Sequence, residues 1–477
     1  MRDAGRSRFR ALWDFSFLTG GETIGKLLGF IAFAYLARVL GPEKYGGIEV
    51  AFTLLSVFSL FVNFGLSPIG AREVAQNPED KDHWAALMPG TRFMIVLVCV
   101  PAMCGVAAGM GLDREVRQLA WIMSLALIPL IWNQNWLLQG LERMGLVSVG
   151  QALRMATLVA GVLLLVRGPG DLLRVGLIEI VAAGVLASYF VFLQHRLKIP
   201  IRLSFDLKEI SRLIRRGFSI GLSQVIWALN QYLSTLMVAF LLGGTAVAWF
   251  AAAHRIVNAI VGYSAIYHFN LFPAVAARLK ESKAAFDDLI RPSFRVAAWG
   301  GIGIALAGTL AAERISVFVF GSEFRQAGLP MAVLMWCLPI TLLAGHARWA
   351  LIAIDEQRFV AIAHGCGVVT TILAGLLLIP RFGAVGASIT MLASYTVVWL
   401  VAHVSGEFKI GRMPLAEIIR PGLLAAITIY AVSMLSGFSI PGIAGGLLFF
   451  AAVAPLVDRA LIRDIQRISA IKSQPLS

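Results

Sequence analysis

Charge is what this sequence has least of. Asp, Glu, Lys and Arg together make up 14% of its 477 residues, where a soluble domain carries roughly 25%. That shortfall excludes a chain wetted on every face. Acids are the scarcer sign, 27 against 41 Lys and Arg. A site for cationic cargo, which wants a cluster of intramembrane acids, is disfavoured. The only cysteines are Cys99, Cys104, Cys337 and Cys366, without CxxC or Cys/His spacing, so no metal site or disulfide framework is expected and the thiols read as small buried apolar groups. HExxH, Walker A and a Gly-rich dinucleotide loop between strand and helix are missing, so the chain is expected to need no cofactor and not to be an enzyme or to run on ATP by itself. Long polar stretches are lacking too. The longest connection, Gln194 to Arg216, has room for an amphipathic helix but not for a catalytic module.

What is present is apolar: 58% of residues are hydrophobic. A spanning helix needs roughly 20 such residues to cross about 30 Å of hydrocarbon, and windows of that kind recur from Phe15 almost to Arg459. The expected class is an all-α integral membrane protein with fourteen spans, at 15 to 38, 48 to 67, 90 to 110, 118 to 138, 147 to 166, 174 to 193, 217 to 242, 247 to 272, 293 to 312, 328 to 352, 358 to 380, 383 to 404, 417 to 436 and 440 to 458. The basic N-terminus followed by an apolar run imitates a signal peptide, but the run is too long, carries Glu22 and Lys26, and leads straight into further spans. The intact segment is expected to remain.

The net charge of +14 is an orientation signal. With the N-terminus inside, one side collects Arg2, Arg6, Arg8 and Arg10, seven basic residues between Arg196 and Arg216, Arg278, Lys280, Lys283 and Arg291, then Arg459, Arg463, Arg467 and Lys472. The other side receives only Arg114 and Arg117, Arg314 and Arg325, and Arg381. This asymmetry predicts an even number of spans with both termini cytoplasmic. Basic residues that flank spans do not make one aromatic-interleaved patch, so no nucleic-acid partner is expected.

A short repeat is visible. Leu40-Gly41 recurs as Leu242-Gly243, and Phe64-Gly65-Leu66-Ser67-Pro68 as Phe269-Asn270-Leu271-Phe272-Pro273, at an offset of about 200 residues. Two six-helix halves in the same orientation follow, enclosing a central cavity. The expected organisation is a basic N-terminus (1–14), a six-helix lobe (15–193), a cytoplasmic linker (194–216), a second six-helix lobe (217–404), two extra spans (405–458) and a basic tail (459–477).

Three stretches carry a resemblance. FIAFAYLARVLGPEKYGGIEVAFTLLSVFSLFVNFGLSPIGAREVA from Phe30, WFAAAHRI from Trp249 and LIPRFGAVGAS from Leu378 resemble, respectively, the opening, the eighth helix and the eleventh-to-twelfth helix turn of bacterial polysaccharide-export flippases of the multidrug/oligosaccharidyl-lipid/polysaccharide exporter superfamily. The resemblance covers nearly the whole chain, and its motifs specify the branch better than the cargo. It implies two six-helix lobes plus two helices in a bacterial inner membrane, a lipid-linked oligosaccharide as substrate, and a polysaccharide polymerase with its chain-length machinery as partners. The motif residues themselves read as structural. In LGPEKYGG, Pro42 ends a helix, Gly46 and Gly47 allow a tight turn, and Tyr45 suits a membrane interface.

Polar residues inside spans are the candidate site. Arg255 sits within VAWFAAAHRIVNAIVGY, where a cation costs about 2.5 to 3.5 kcal/mol and usually faces a wet interior and a partner or anionic ligand. It has no acid three or four residues away, and Asn258 is its nearest polar neighbour on that face. Glu22 and Lys26, four apart with the acid first, either neutralise each other or line the cavity. Arg348 either snorkels or meets substrate. Asn133, Gln134, Asn135, Asn230 and Gln231 suit sugar hydroxyls, and interhelical hydrogen bonding explains them nearly as well. Glu179, isolated in its helix, is the candidate for coupling to H⁺ or Na⁺, against the alternative of a neutral buried acid. His254, His268, His346 and His364 read as interface residues. The expected function is a flippase sheltering a pyrophosphate-linked sugar head while the tail stays in lipid. A cation-coupled multidrug exporter of the same fold, or a membrane glycosyltransferase or ligase, are the alternatives; the last should show a large outer loop, and the outer connections here are short.

Overall fold

A computed structural model describes the backbone of residues 2–471 and the side chains of residue 25 and residues 27–468. Every regular element among them is helical. Twelve are long and apolar enough to cross a membrane. Two of the twelve contain a long helix that doubles back on itself. The first, α1 (Arg2–Asn63), holds a non-helical residue at Gly41, with φ 75° and ψ 170°. Phe33 and Phe52 lie on either side of it with ring centroids 5.0 Å apart, whereas 19 residues of straight helix would separate them by about 28 Å. The chain therefore doubles back at Gly41. Pro42 then opens the second arm, where its missing N–H costs nothing.

That backbone conformation is open essentially to glycine alone. Gly41→Ala is expected to cost about 1 to 3 kcal/mol and to lower the melting temperature of purified protein. A variant melting with the parent would show that the reversal does not depend on this residue.

The second case is α13 (Gln357–Lys409), interrupted at Gly383 with φ 58° and ψ −133°. Ser394 Oγ donates to Gly367 O at 2.9 Å across it, so this helix is a hairpin as well. Sequence reading places one of these turns wrongly. Gly46 and Gly47 are helical; the turn belongs to Gly41, and Gly46 serves close packing, since a Cβ on it would sit 2.2 Å from Gly244 O. Tyr45 does not sit at an interface. It is fully buried, because the reversal folds its helix inward against neighbours.

Contacts divide the chain into two units, 1–248 and 249–477. The first holds α1, α2 (Leu66–Gln76), α3 (Lys81–Gly109), α4 (Arg114–Ser124), α5 (Asn135–Gly140), α6 (Met144–Leu165), α7 (Leu172–Arg196), α8 (Leu207–Leu241) and the start of α9 (Gly244–Glu281). Its division from the second falls later than the 194–216 linker. The reason is α8, which packs onto the end of α1: Gly217 and Gly221 present bare backbone to Phe64 and Gly65, and Phe218 meets the Phe64 ring at 5.9 Å.

The span expected at 118–138 is not one helix. After α4 come two 3₁₀ turns, Leu125–Leu127 and Pro129–Trp132, then Asn133 in an extended conformation before α5. Pro129 removes a backbone donor, and Arg92, buried in α3, supplies donors from outside. One of its nitrogens binds Asn133 O and the other Ser67 Oγ at 3.0 Å. Freed carbonyls in a membrane need such a replacement.

The second unit continues α9 and adds α10 (Lys283–Phe320), α11 (Gly328–Leu334), α12 (Cys337–Ala353), α13, α14 (Ile419–Ser436), α15 (Ile440–Val457) and α16 (Leu461–Ile471). The C-terminal pair α14 and α15 packs on α10 through Leu424, Val432 and Phe450 against Trp299, Ile302 and Leu306. In the turn between α12 and α13, hydrogen bonds from Lys409 and Arg358 hold the Glu356 carboxyl below its ordinary value. A depressed carboxyl stabilises the fold above the unfolded value and loses that contribution as pH falls through the folded one. Melting temperatures of the parent and Glu356→Gln should therefore differ at neutral pH and converge below about pH 4; a constant gap would contradict the pairing.

Candidate functional site

In the first unit a cavity of about 240 Å³ lies between the second arm of α1, the broken 125–133 segment, α6 and α7. Small side chains make the room: Ser56 and Ser59 on α1, Ala126 on the broken segment, and Ala183 and Ala187 on α7. Both serine hydroxyls donate to their own helix, Ser56 to Phe52 O at 2.7 Å and Ser59 to Leu55 O at 2.6 Å, which leaves their lone pairs as acceptors. Asn133, Gln151, Arg154 and Glu179 supply the rest of the polar lining.

At its centre Arg154 Nη2 donates to Glu179 Oε1. Glu179 is 2% exposed and Arg154 27%. The acid is thus locked in the helix interface while the guanidinium borders the open space. Among the described residues, Oε2 of Glu179 is buried without a hydrogen-bond partner. An arginine carries five N–H donors, so donors beyond the one bound to Glu179 remain for water or an anion, while Glu179 Oε2 and the two serine oxygens are the acceptors that a cation needs. Size narrows what an occupant can be. Pockets for drug-sized ligands run to about 300 to 1,000 Å³, so this space suits an ion with its waters rather than a sugar-bearing head.

Glu179 is therefore not isolated, as the sequence implied. Its partner lies 25 positions earlier on another helix, and no local spacing rule connects them. A signal was nonetheless available. Arg154 stands within an apolar span just as Arg255 does, and the same cost argument applies to both. Arg92 could have been found in the same way.

The other candidates are placed as follows. Arg255 is half-buried on α9 in the second unit, beside His254, whose ring stacks on Phe250 at 5.7 Å, and Asn258 is exposed one turn on. Arg348 on α12 is partly buried with its guanidinium 5.6 Å from the centre of the Trp349 ring. Asn230 is buried on α8 and donates to Ile226 O at 3.0 Å, and Gln231 beside it is partly buried. The side chains of Glu22 and Lys26 lie outside the described residues. Asn133 alone of the expected amide group reaches the cavity; Gln134 instead donates to Gln194 at 3.4 Å. His346 Nε2 accepts from the Ser293 hydroxyl at 2.9 Å, and His268 Nδ1 lies 2.8 Å from Ser264 O, both within helix interfaces.

A family described as polysaccharide biosynthesis protein matches residues 11–277, more than half of the chain. The chain belongs to this family. The matched part contains the whole cavity, including Arg154 and Glu179. Among relatives, the putative O-antigen transporter of Escherichia coli (strain K12) is 24% identical over 78% of this chain and 91% of its own length. The probable low-salt glycan biosynthesis flippase Agl15 of Haloferax volcanii is 22% identical over 91% of this chain and 93% of its own. Among solved structures, the lipid II flippase MurJ in an inward closed conformation superposes with a TM-score of 0.74 over 93% of this chain and 99% of that one, at 14% identity. An inward-facing multidrug resistance MATE transporter of the MOP superfamily gives 0.64 over 81% and 94%, at 15% identity. The fold is shared with both structures, an all-helical membrane architecture, as the three motif stretches implied.

Proposed function

We propose that this chain is a flippase, not an enzyme, that carries a lipid-linked oligosaccharide from the cytoplasmic to the outer leaflet of a bacterial inner membrane during polysaccharide assembly. What carries the reading is family membership together with a fold shared almost end to end with a structure named a lipid II flippase. Relatives named as an O-antigen transporter and a glycan flippase point to the same class of cargo. In this reading the chain crosses the membrane fourteen times as two six-helix lobes plus two helices, because both hairpins count twice, and both termini are cytoplasmic. A multidrug exporter shares the fold. Against it stands the surplus of intramembrane cations, which suits anionic cargo.

The task is electrostatic. A polyprenyl tail is at home in hydrocarbon, and a pyrophosphate with sugars cannot enter it unaided. Arg255, Arg348 and Lys26 would meet the phosphates, with Glu22 as a further candidate of the lining, and Asn230, Gln231 and Asn258 would meet sugar hydroxyls. Coupling to H⁺ or Na⁺ would fall to Glu179 in the Arg154–Glu179 cavity, where its Oε2 and the serine oxygens are the available acceptors. An inside-negative potential adds up to about 2.3 kcal/mol per anionic charge per 100 mV in the outward direction. A polymerase and chain-length machinery would consume the product.

The test is leaflet accessibility of candidate lipid-linked sugars in vesicles. Native protein should translocate one of them, and Arg255→Ala and Lys26→Ala should each slow it about 10- to 100-fold, the worth of one charged hydrogen bond. Native rates in both variants would remove these binding charges. Failure of native protein with every such lipid would remove the function.

A further inference from the structure

The last helix has a face that the transport reading does not use. α15 ends at Val457 and α16 begins at Leu461, so α16 starts where a membrane-crossing helix leaves the bilayer. At about 100° per residue, Leu461, Asp464 and Ile468 share one side of it and Ile462 and Ile465 the next. The first side is occupied. Leu461 is buried, and Asp464 is bound by Arg295 on α10, which also grips Glu417 through two bonds of 2.8 and 2.9 Å and lies 3.3 Å from Asp458. Arg467 reaches Asp288, also on α10, at 3.9 Å. The helix is thus held against the start of α10, at the same edge.

The second side is open: Ile462 is 55% and Ile465 48% exposed. Around them stand Arg459 and Arg463, while the local acids are paired, Asp458 and Asp464 with Arg295 and Asp288 with Arg467. The edge is therefore apolar below and basic above. We propose that α16 is an in-plane helix that binds the anionic lipid surface at the end of α15, with Ile462 and Ile465 inserted at headgroup level and Arg459 and Arg463 meeting lipid phosphates. Continuity with a spanning helix sets its depth, and the Arg295 cluster sets its orientation, so lipid charge at this edge bears directly on α10.

The experiment uses the full-length protein, its four cysteines replaced by alanine, with a nitroxide attached at Ile465→Cys, in phosphatidylcholine vesicles with and without phosphatidylglycerol. Contact with oxygen, which dissolves in lipid, is compared with contact with a water-soluble nickel chelate. Oxygen should dominate with phosphatidylglycerol. Changing Arg459 and Arg463 to Gln should lower the inserted-to-free ratio about 25-fold, each basic residue contributing about fivefold near an anionic surface. High salt should weaken insertion of the unsubstituted arginines in the same direction. Nickel contact in both vesicles overturns the proposal. Equal insertion in both overturns the role of lipid charge, and a label reached by neither reagent means that a protein surface covers this face instead.

Discussion

Arg154→Ala is expected to cost about 3 to 5 kcal/mol of fold stability, because it leaves a carboxylate that is 2% exposed without its cation. The reverse deletion is milder. Glu179→Gln removes the charge from the buried member of the pair, and Arg154, 27% exposed at the edge of the cavity, keeps access to water. Combining Arg154→Gln with Glu179→Gln removes both charges and should recover most of what Arg154→Ala loses, because no uncompensated ion remains. Melting temperatures of the purified variants should therefore rank Arg154→Ala lowest, with the double variant near Glu179→Gln. Transport separates the pair from a purely structural role: Glu179→Gln should retain downhill flipping and lose its dependence on an ion gradient. An Arg154→Ala protein as stable as the parent would dissolve the pair, and the coupling site with it.

A second large effect lies at Gly46. A Cβ there would fall 2.2 Å from Gly244 O and 3.1 Å from its carbonyl carbon, and backbone cannot swing aside as a side-chain tip can. Gly46→Val is expected to cost about 3 kcal/mol, the upper range for forcing atoms into a filled interior. Gly105→Ala is the matched control, because a Cβ at that helical position meets nothing within 4 Å. Alanine there should be neutral or stabilising by up to about 1 kcal/mol. If both glycine variants melt together, the close approach of α1 to the start of α9 is not what Gly46 is for.

How far the sequence could be read depends on the range of the interaction involved. The helical membrane class follows from local hydropathy, and the twelve apolar segments, two of them containing hairpins, lie where the apolar windows do. The acid proposed for coupling was visible too, because Glu179 stands alone in an apolar run. Its partner was not, because a salt bridge between two helices leaves no spacing in either. The break at 125–133 escaped for a related reason. Pro129 hints at it, but a proline inside a membrane helix is tolerated whenever neighbours satisfy the freed carbonyls, and whether a neighbour does so depends on Arg92, 41 positions away from the carbonyl it binds. Gly46 and Gly47 show the opposite error. Glycine pairs suggest a turn, yet Gly41 takes the left-handed backbone and Gly46 the tight contact.

By itself, then, the order of residues determined that this chain dissolves in lipid, where its helices run and which branch of a superfamily its motifs resemble, because burial in hydrocarbon is paid for residue by residue. Only tertiary structure decided that Arg154 neutralises Glu179, that small side chains on separate helices face one another and leave a space, and that Arg295 gathers three carboxylates to hold the last helix. Those are pairings between distant positions, and their energies come into being only when separate helices meet.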